Sequence, residues 1–417
     1  MANPQAEVAW SDTLARFRET FSHPSDIFST LLLLGPDVIS RAVAQQSGTA
    51  WFHVRLPDAI RICGQRIEFD VAWPVAFSFG WVSYGLSMLA SVIGEDRLLP
   101  VAADSPCIVI NGKSKQLRGN NSWILGRLIR DYPKWAEKDV KDEVNQHIMN
   151  RMNKLQEREE TPQAKANVQR PPMTSLCVVV YSANENKAQG VPDLDWISHS
   201  GLVMMGIQLG IAIIPIFMAK DWVVLKTTFL GTLLAWSSLC FPQWRREKWA
   251  CRQNTNQHFV LTKGNGTQYA LYIKANDRGL NLEDLASAHV PASTATKIGI
   301  LILAIVWIYL LLSSSNVSRG WGTGCFLAIG GMGMLQNILV AAWPRGPGVT
   351  GLHLKHEDMV MEDTVIDTLL GVERKYETVG QSMLNTFFPN GLKDEDKQKW
   401  EEVARIWEEK RTATSGS

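Results

Sequence analysis

The chain has 417 residues and a formal net charge of +1, from 42 Lys and Arg against 41 Asp and Glu. This balance gives no electrostatic argument for nucleic acid as a partner. The mean hydropathy of -0.06 excludes a protein that is apolar throughout. The length allows several helices together with soluble regions.

The first 26 residues are polar and mixed in charge. They lack the apolar core and the small-residue cleavage site of a signal peptide, so we expect an internal segment to direct membrane insertion. The cysteines show neither a CxxC pair nor the spacing of metal ligands, and we expect free thiols. They are Cys63, Cys107, Cys177, Cys240, Cys251 and Cys325.

Five apolar stretches approach the ~20 residues that a helix needs to cross a bilayer. None contains Asp or Glu, and tryptophans lie beside most of their ends, as in the aromatic belt of membrane proteins. We therefore expect an α-helical integral membrane protein with five transmembrane helices. The stretches are residues 71–94, 197–219, 222–243, 298–315 and 321–343.

A sixth apolar segment, residues 27–46, lies within the N-terminal region 1–70. Its Gly35-Pro36 pair and the charges of Asp37 and Arg41 argue against a complete span. We expect an interfacial or re-entrant helix there, with six spans as the alternative.

The orientation follows from four basic residues behind the third stretch, which we take as topology determinants that mark the cytosolic side. They are Arg245, Arg246, Lys248 and Arg252. The short connections at 220–221 and 316–320 indicate two hairpins. Regions 95–196, 244–297 and 344–417 are then cytosolic. This places Arg55, Arg61 and Arg66 on the far side, in conflict with the positive-inside rule.

The polar regions predict a small cytosolic α/β module with a helical tail. We expect strands at 107–111 and 175–182, and a β-hairpin from 258–262 and 267–274 around Lys263-Gly264-Asn265-Gly266. Helices are predicted at 121–132, 138–160 and 282–288, the last capped by Asn281, and in the tail from 357 to 411.

Small and polar residues inside the spans predict helix packing. Gly206, Gly210, Gly324 and Ala328 occur at four-residue spacing, which allows close helix approach and a homo-oligomer. The amides of Gln208, Gln336 and Asn337 are expected to bond between helices.

Two motifs are weak site candidates. Gly112-Lys113-Ser114 resembles part of a phosphate-binding loop, but Cys107 stands where that motif needs glycine, so we interpret it as a turn. His353 and His356 are weak metal candidates because no third strong ligand is evident. We therefore predict neither a metal nor a cofactor.

Several motifs resemble a group of uncharacterised multi-pass membrane proteins of filamentous fungi, over roughly residues 27–390. The resemblance implies a helical membrane core with cytosolic α/β parts, and it implies no activity, cofactor or catalytic residue. Members of such groups sometimes accompany secondary-metabolite pathways. The motifs are PVAFSFGW at 74–81, NSWILGRL at 121–128, PQWRREKW at 242–249, TKGNG at 262–266, GLNLEDLA at 279–286 and GMLQN at 333–337.

The sequence shows no nucleophile–base constellation, no metal-ligand set and no intramembrane carboxylate. This favours a non-enzymatic membrane organiser or adaptor in an endomembrane or the plasma membrane. Its module or tail would bind a protein or small ligand. The alternative is an enzyme or accessory protein that tailors or cyclises a lipophilic metabolite, using interfacial acids for proton chemistry. A transporter is the third reading, disfavoured by the small number of spans. The acids are Asp70, Glu95, Asp96 and Asp221.

Overall fold

The computed structural model describes residues 35–55, 61–62, 65–66, 68–100, 105–159, 161, 167–314, 317 and 320–415. The α-helices, in chain order, are α1 Pro36–Gln46, α2 Trp81–Gly94, α3 Trp123–Trp135, α4 Lys138–Glu157, α5 Trp196–Ala219, α6 Val223–Leu239, α7 Pro242–Lys248, α8 Leu282–Ser287, α9 Thr294–Ser314, α10 Trp321–Ala342, α11 Val365–Lys375, α12 Val379–Phe387 and α13 Asp394–Ser415.

The strands are β1 Ala50–Arg55, β2 Arg61–Ile62, β3 Gln65–Arg66, β4 Glu68–Ala72, β5 Ile108–Asn111, β6 Leu117–Gly119, β7 Cys177–Ala183, β8 His258–Thr262, β9 Tyr269–Lys274 and β10 Leu354–Met361. A short 3-10 helix occupies Pro347–Thr350. The chain divides into two compact units. The helical unit comprises Met1–Pro100, Leu194–Lys248 and His289–Trp343, and the α/β unit comprises Val101–Asp193, Trp249–Ala288 and Pro344–Ser417.

Four helices of the helical unit are long and apolar enough to span a membrane, among the residues that the structure describes. This is the pattern of an integral membrane protein. They are α5 with 24 residues, α6 continued by α7 with 26 residues over Val223–Lys248, α9 with 21 residues and α10 with 22 residues. These four helices coincide with the second to fifth predicted stretches.

The first predicted span, residues 71–94, is wrong as a transmembrane helix. Its start belongs to β4, residues 73–80 are not helical, and α2 has only 14 residues. At 1.5 Å per residue, α2 is about 21 Å long, short of the ~30 Å hydrocarbon core. Pro74 contributes to this outcome because a proline disfavours the helical conformation of the residue before it.

Helix α1 accounts for part of the predicted segment 27–46. It begins at Pro36, so the Gly35-Pro36 pair starts a helix and does not interrupt one. Proline is well tolerated at a first helical position because no intrahelical partner is needed for its missing N–H. Helix α1 packs against α2 and α10. Residues 27–34 lie outside the described residues.

The α/β unit is built on a six-stranded sheet with the order β10-β7-β9-β8-β5-β6. Strands β7 and β9 are parallel, and the other neighbours are antiparallel. The predicted hairpin is present as β8 and β9. Asn281 caps α8, since its side chain accepts from the backbone N–H groups of Glu283 and Asp284.

Both faces of the sheet are covered. Val109, Val179 and Phe259 face a core that includes residues of α3, α4 and α8. Val178 and Val260 face a second core, to which α11 and α12 contribute. All seven residues of β7 are buried, which explains why its sequence is apolar without alternation.

The sequence predicted a helical tail that begins at residue 357, and this start is wrong. Leu354–Met361 forms the edge strand β10, antiparallel to β7, and the helices begin at Val365. The charged residues Lys355, Glu357 and Asp358 made this segment resemble a polar helix. Charged side chains are common on edge strands because they discourage pairing with other chains.

Candidate functional site

The non-helical residues 73–80 form the centre of the helical unit, and we call them the core segment. Their side chains are buried, with exposures of 4% for Trp73, 0% for Ala76 and 7% for Phe79. Irregular backbone at membrane depth is tolerated only where it is enclosed by protein or lines a cavity, because its polar groups need partners.

Amide side chains of two long helices provide those partners. Gln208 on α5 donates from Nε2 to the carbonyl oxygens of Phe77 at 2.8 Å and Ile329 at 2.9 Å. Gln336 on α10 accepts at Oε1 from the backbone N–H of Ala76 at 3.2 Å. In the same way, Asn337 donates from Nδ2 to Ser78 Oγ at 3.0 Å. The amides therefore fix the core segment as well as joining helices.

Glycines on three helices make room for the core segment. A Cβ added at Gly201 on α5 would lie 1.9 Å from the Pro74 carbonyl oxygen, and one at Gly333 on α10 would lie 1.8 Å from the Phe77 carbonyl oxygen. On α6 and α10, a Cβ at Gly231 or Gly330 would lie 2.5 Å or 1.9 Å from a phenylalanine ring of the segment. Each glycine is thus required by close approach.

The glycines that the sequence singled out lie elsewhere. A Cβ added at Gly206, Gly210 or Gly324 meets no atom within 4 Å. These three positions and Ala328 are exposed on the surface of α5 and α10. Four-residue spacing alone does not indicate which helix face meets a neighbour. A contact with a second copy at these positions stays a prediction.

Both ends of the stretch that contains the core segment lie at the same end of the helical unit. The Ala72 carbonyl accepts from Trp236 Nε1 at 2.8 Å near the end of α6. Beyond α2, Asp96 forms an ion pair with Lys297 at 2.8 Å near the start of α9. The apex lies at the opposite end, where Phe79 packs on Phe326 in the second turn of α10 with ring centroids 4.8 Å apart.

Glu247 on α7 holds the segment that follows α2. Its role could not be recognised from the sequence, where it lies in the charged run Arg245–Lys248. Its carboxylate accepts from the backbone N–H groups of Leu98 at 2.9 Å and Leu99 at 2.7 Å, and from Gln243 Nε2 at 2.8 Å. The two amide donors lie four and five residues beyond the end of α2, and Glu247 satisfies both of them.

We expect Glu247→Ala to lower the free energy of unfolding by about 1–3 kcal/mol, because it leaves these buried donors unsatisfied. Thermal unfolding of the purified chain in detergent measures the effect. Glu95→Ala is the control, since Glu95 is exposed. Equal melting temperatures for the two variants would show that the Glu247 contacts contribute little.

The predicted topology determinants separate into three environments. Arg245 and Arg246 are exposed on α7. Lys248 is buried, and its Nζ donates to the carbonyl oxygens of Gln45 and Ser47 at the C-terminal end of α1. Cations favour helix C-termini, where carbonyl groups lack partners. Arg252 makes two hydrogen bonds to the carboxylate of Asp284, at 2.6 and 3.0 Å.

A small pocket lies beside the core segment. Aromatic rings that pack on one another form part of its wall. Phe77 stacks on Trp307 of α9 at 6.2 Å between centroids, and Trp307 stacks on Trp81 at 5.9 Å. The residues that line the pocket are Phe77, Phe79, Val82, Thr227, Leu310, Leu311, Ser314 and Phe326.

In the α/β unit, the two histidine candidates contact different elements. His353 is buried, with Nε2 2.7 Å from the Val191 carbonyl oxygen. His356 lies on β10 with Nδ1 3.5 Å from Asp139. No group of three or more metal-binding side chains occurs among the described residues. The Gly112-Lys113-Ser114 segment is a turn, in which Asn111 Oδ1 accepts from the N–H groups of Lys113 and Ser114 at 3.0 Å.

A lysine–tyrosine cluster lies where the parallel strands β7 and β9 end. The Lys274 ammonium lies 4.5 Å from the ring centroid of Tyr376 and 5.9 Å from that of Tyr272, and it pairs with Glu357 at 2.8 Å. His258 packs beside Tyr272 at 6.1 Å. Such contacts between a cation and aromatic faces are attractive. Ligands of α/β sheets commonly bind outside the carboxyl ends of parallel strands.

Partial burial lowers the pKa of His258, and the positive charges of Lys113 and Lys274 lower it further. Below about pH 6.5 the unfolded state therefore gains a proton that the folded state resists, and stability falls as the pH falls. We expect His258→Gln to lose less stability than the parent chain between about pH 7.5 and 5.5. Melting temperatures at the two pH values measure this. With His147→Gln as the control, an unchanged pH dependence in His258→Gln would contradict the prediction.

Comparisons with protein-family models, with curated protein sequences and with solved structures found no match to this chain.

Proposed function

We propose that this chain is a non-enzymatic integral membrane protein, an organiser or adaptor that holds a folded α/β binding module at one face of the bilayer. One observation carries the proposal. Strands from three polar regions of the chain, which the long helices separate, join in a single sheet. Segments of one sheet must lie in the same compartment, so the helices between them cross the membrane in pairs.

The topology that follows has four crossings. Helices α5 and α6 are one successive pair of crossings and α9 and α10 are the other, while the stretch around the core segment enters and leaves at the end of the helical unit where α6 ends and α9 begins. Arg55, Arg61 and Arg66 then lie on the same face as Arg245 and Arg246. This agrees with the positive-inside rule and supports a cytosolic module. With residues 71–94 as a transmembrane helix, these three arginines would lie on the far side, in conflict with that rule.

The lysine–tyrosine cluster is the binding surface that we propose for an acidic segment of a protein partner. Lys113 is exposed next to it. Burial lowers the pKa of His258 most, and the positive charges of Lys113 and Lys274 add to this lowering. Complementary potential guides a charged partner to its site and sets specificity.

The alternative of an enzyme that uses interfacial acids has less support. Asp96 is committed to the ion pair with Lys297 at 2.8 Å. Asp221 precedes α6 and accepts from the backbone N–H of Val223 at 2.8 Å. Asp70 lies on β4, paired in the sheet with His53. The pocket beside the core segment is lined by residues without titratable side chains, which suits binding better than proton transfer.

The experiment is chemical cross-linking of the full chain in its native membranes, followed by mass spectrometry. Lys113→Glu reverses a charge beside the cluster, and Lys263→Glu is the control because it makes the same change in the β8–β9 turn. We expect the parent chain and Lys263→Glu to recover the same protein through residues of the cluster, and Lys113→Glu to lose it. No cross-linked partner in the parent chain, or equal recovery with both variants, would overturn the proposal.

A further inference from the structure

The pocket beside the core segment has a buried floor and an open rim. Phe77, Phe79 and Phe326 are at most 7% exposed. Leu311 and Ser314 on α9 are only half-buried and form the rim. The neighbouring side chains on the same helix, Tyr309 and Leu312, are 61% and 66% exposed. On a membrane-spanning helix, such apolar surface faces lipid, so the pocket opens toward the bilayer.

The packing of its aromatic walls keeps the pocket open, because neighbouring groups hold the rings of Phe77 and Phe79 in place. Phe77 is held between Trp307, at 6.2 Å, and Gly231, where even a Cβ would lie 2.5 Å from the ring. Phe79 is held between Phe326, at 4.8 Å, and Gly330.

The chemistry of the wall selects an apolar occupant. Six of the eight lining residues are aromatic or aliphatic. Of the two hydroxyl groups, that of Ser314 already donates to the Leu311 carbonyl oxygen at 2.7 Å. A water molecule needs two to four polar partners to occupy a cavity, and this wall offers too few.

The depth of the pocket indicates which part of a lipid fits. Leu310 and Ser314 lie in the last turns of α9, Thr227 lies in the second turn of α6, and Phe326 lies in the second turn of α10. The pocket is thus near the C-terminal end of α9 and the N-terminal ends of α6 and α10, in the leaflet at that end of the helical unit. An acyl chain anchored by a headgroup in that leaflet reaches this depth.

We propose that the pocket takes up part of one acyl chain of a membrane glycerophospholipid, which lies against the core segment and completes the packing of the helical unit. That part of the chain enters between Leu311 and Ser314 and contacts Phe77 and Phe79. The inference rests on the long helices crossing a bilayer. It is independent of the partner proposed for the α/β unit.

The test uses the full chain in phosphatidylcholine nanodiscs that contain phosphatidylcholine with a photoreactive diazirine in one acyl chain. After irradiation, mass spectrometry locates the labelled residues. We expect label on residues 77–82, since the inserted part of the acyl chain contacts Phe77 and Phe79. Absence of label there, with label confined to exposed positions such as Leu312, would overturn the proposal.

Two adjacent substitutions give a matched comparison. Leu311→Trp fills the rim of the pocket, whereas Leu312→Trp places the same side chain on the outer face of α9. We expect label on residues 77–82 to fall about fivefold or more in Leu311→Trp and to stay within about twofold in Leu312→Trp, because a close-packed site has no room for both groups. Thr227→Met fills the pocket from α6 if Leu311→Trp does not fold. Equal labelling in the filled variants and in Leu312→Trp would also overturn the proposal.

Discussion

Gly333→Ala is expected to destabilise the helical unit severely, with loss of the monodisperse protein or a fall of several degrees in melting temperature. The added Cβ would lie 1.8 Å from the Phe77 carbonyl oxygen and 2.8 Å from Gln208 Nε2. Neither atom can retreat without breaking the hydrogen bond between them, which is 2.8 Å long. Overpacking of a filled core costs typically about 1–3 kcal/mol, and more where the backbone must move.

Gly324→Ala on the same helix is the matched control. A Cβ there meets nothing within 4 Å, and alanine favours a helix over glycine by up to about 1 kcal/mol. Thermal unfolding monitored by size-exclusion chromatography in detergent compares the two. If Gly333→Ala melts at the temperature of Gly324→Ala, the close approach of α10 to the core segment is refuted.

Gln208→Met has the second largest expected effect. The substitution keeps the side-chain volume but removes the NH2 group that serves two backbone carbonyl oxygens, those of Phe77 and Ile329. The Phe77 carbonyl lies outside any helix, and a buried carbonyl left without a partner carries a desolvation cost of about 1–3 kcal/mol. Hydrogen bonds within membranes often contribute less, ~0.6 kcal/mol on average, so we expect a loss of about 1–3 kcal/mol in total.

The control is Ile207→Met, which places the same residue at the adjacent, 46% exposed position. Denaturation by sodium dodecyl sulfate in mixed micelles reports the free energy of unfolding. A loss in Gln208→Met no larger than that in Ile207→Met would mean that the amide does not hold the core segment.

The long helices could be predicted from the sequence because twenty apolar residues without a polar face have few alternatives. The same criterion failed for residues 71–94. Hydropathy records that a segment avoids water, whereas helix formation also depends on whether its backbone finds partners elsewhere. Here Gln208 and Gln336 provide those partners. Two kinds of residue in the sequence argue against a helix there. Pro74 and Gly80 lie inside the stretch, and the amides of Gln208, Gln336 and Asn337 in the other spans can serve as partners for its backbone.

The candidate sites could not be predicted, because their parts meet only through tertiary contacts. Antiparallel pairing places His258 opposite Lys274, and Tyr376 reaches Lys274 from the end of α11. The β8–β9 hairpin could be predicted from the sequence, but the contact between Lys274 and Tyr376 could not. Likewise, residues from the core segment and four helices line the pocket. Strand β10 was not predicted because its charged residues hide the apolar alternation of a strand. An edge strand can carry such charges because part of it is exposed.

The central claim is that residues 71–94 turn back within the membrane and do not cross it. Single cysteines at Arg66, Lys115 and Lys220, treated with a membrane-impermeant maleimide in sealed vesicles of known orientation, test it most directly, with labelling of the unsubstituted chain as background. We predict that Arg66→Cys and Lys115→Cys react from the same side and that Lys220→Cys reacts only from the other. Reaction of Arg66→Cys from the side of Lys220→Cys would contradict the account.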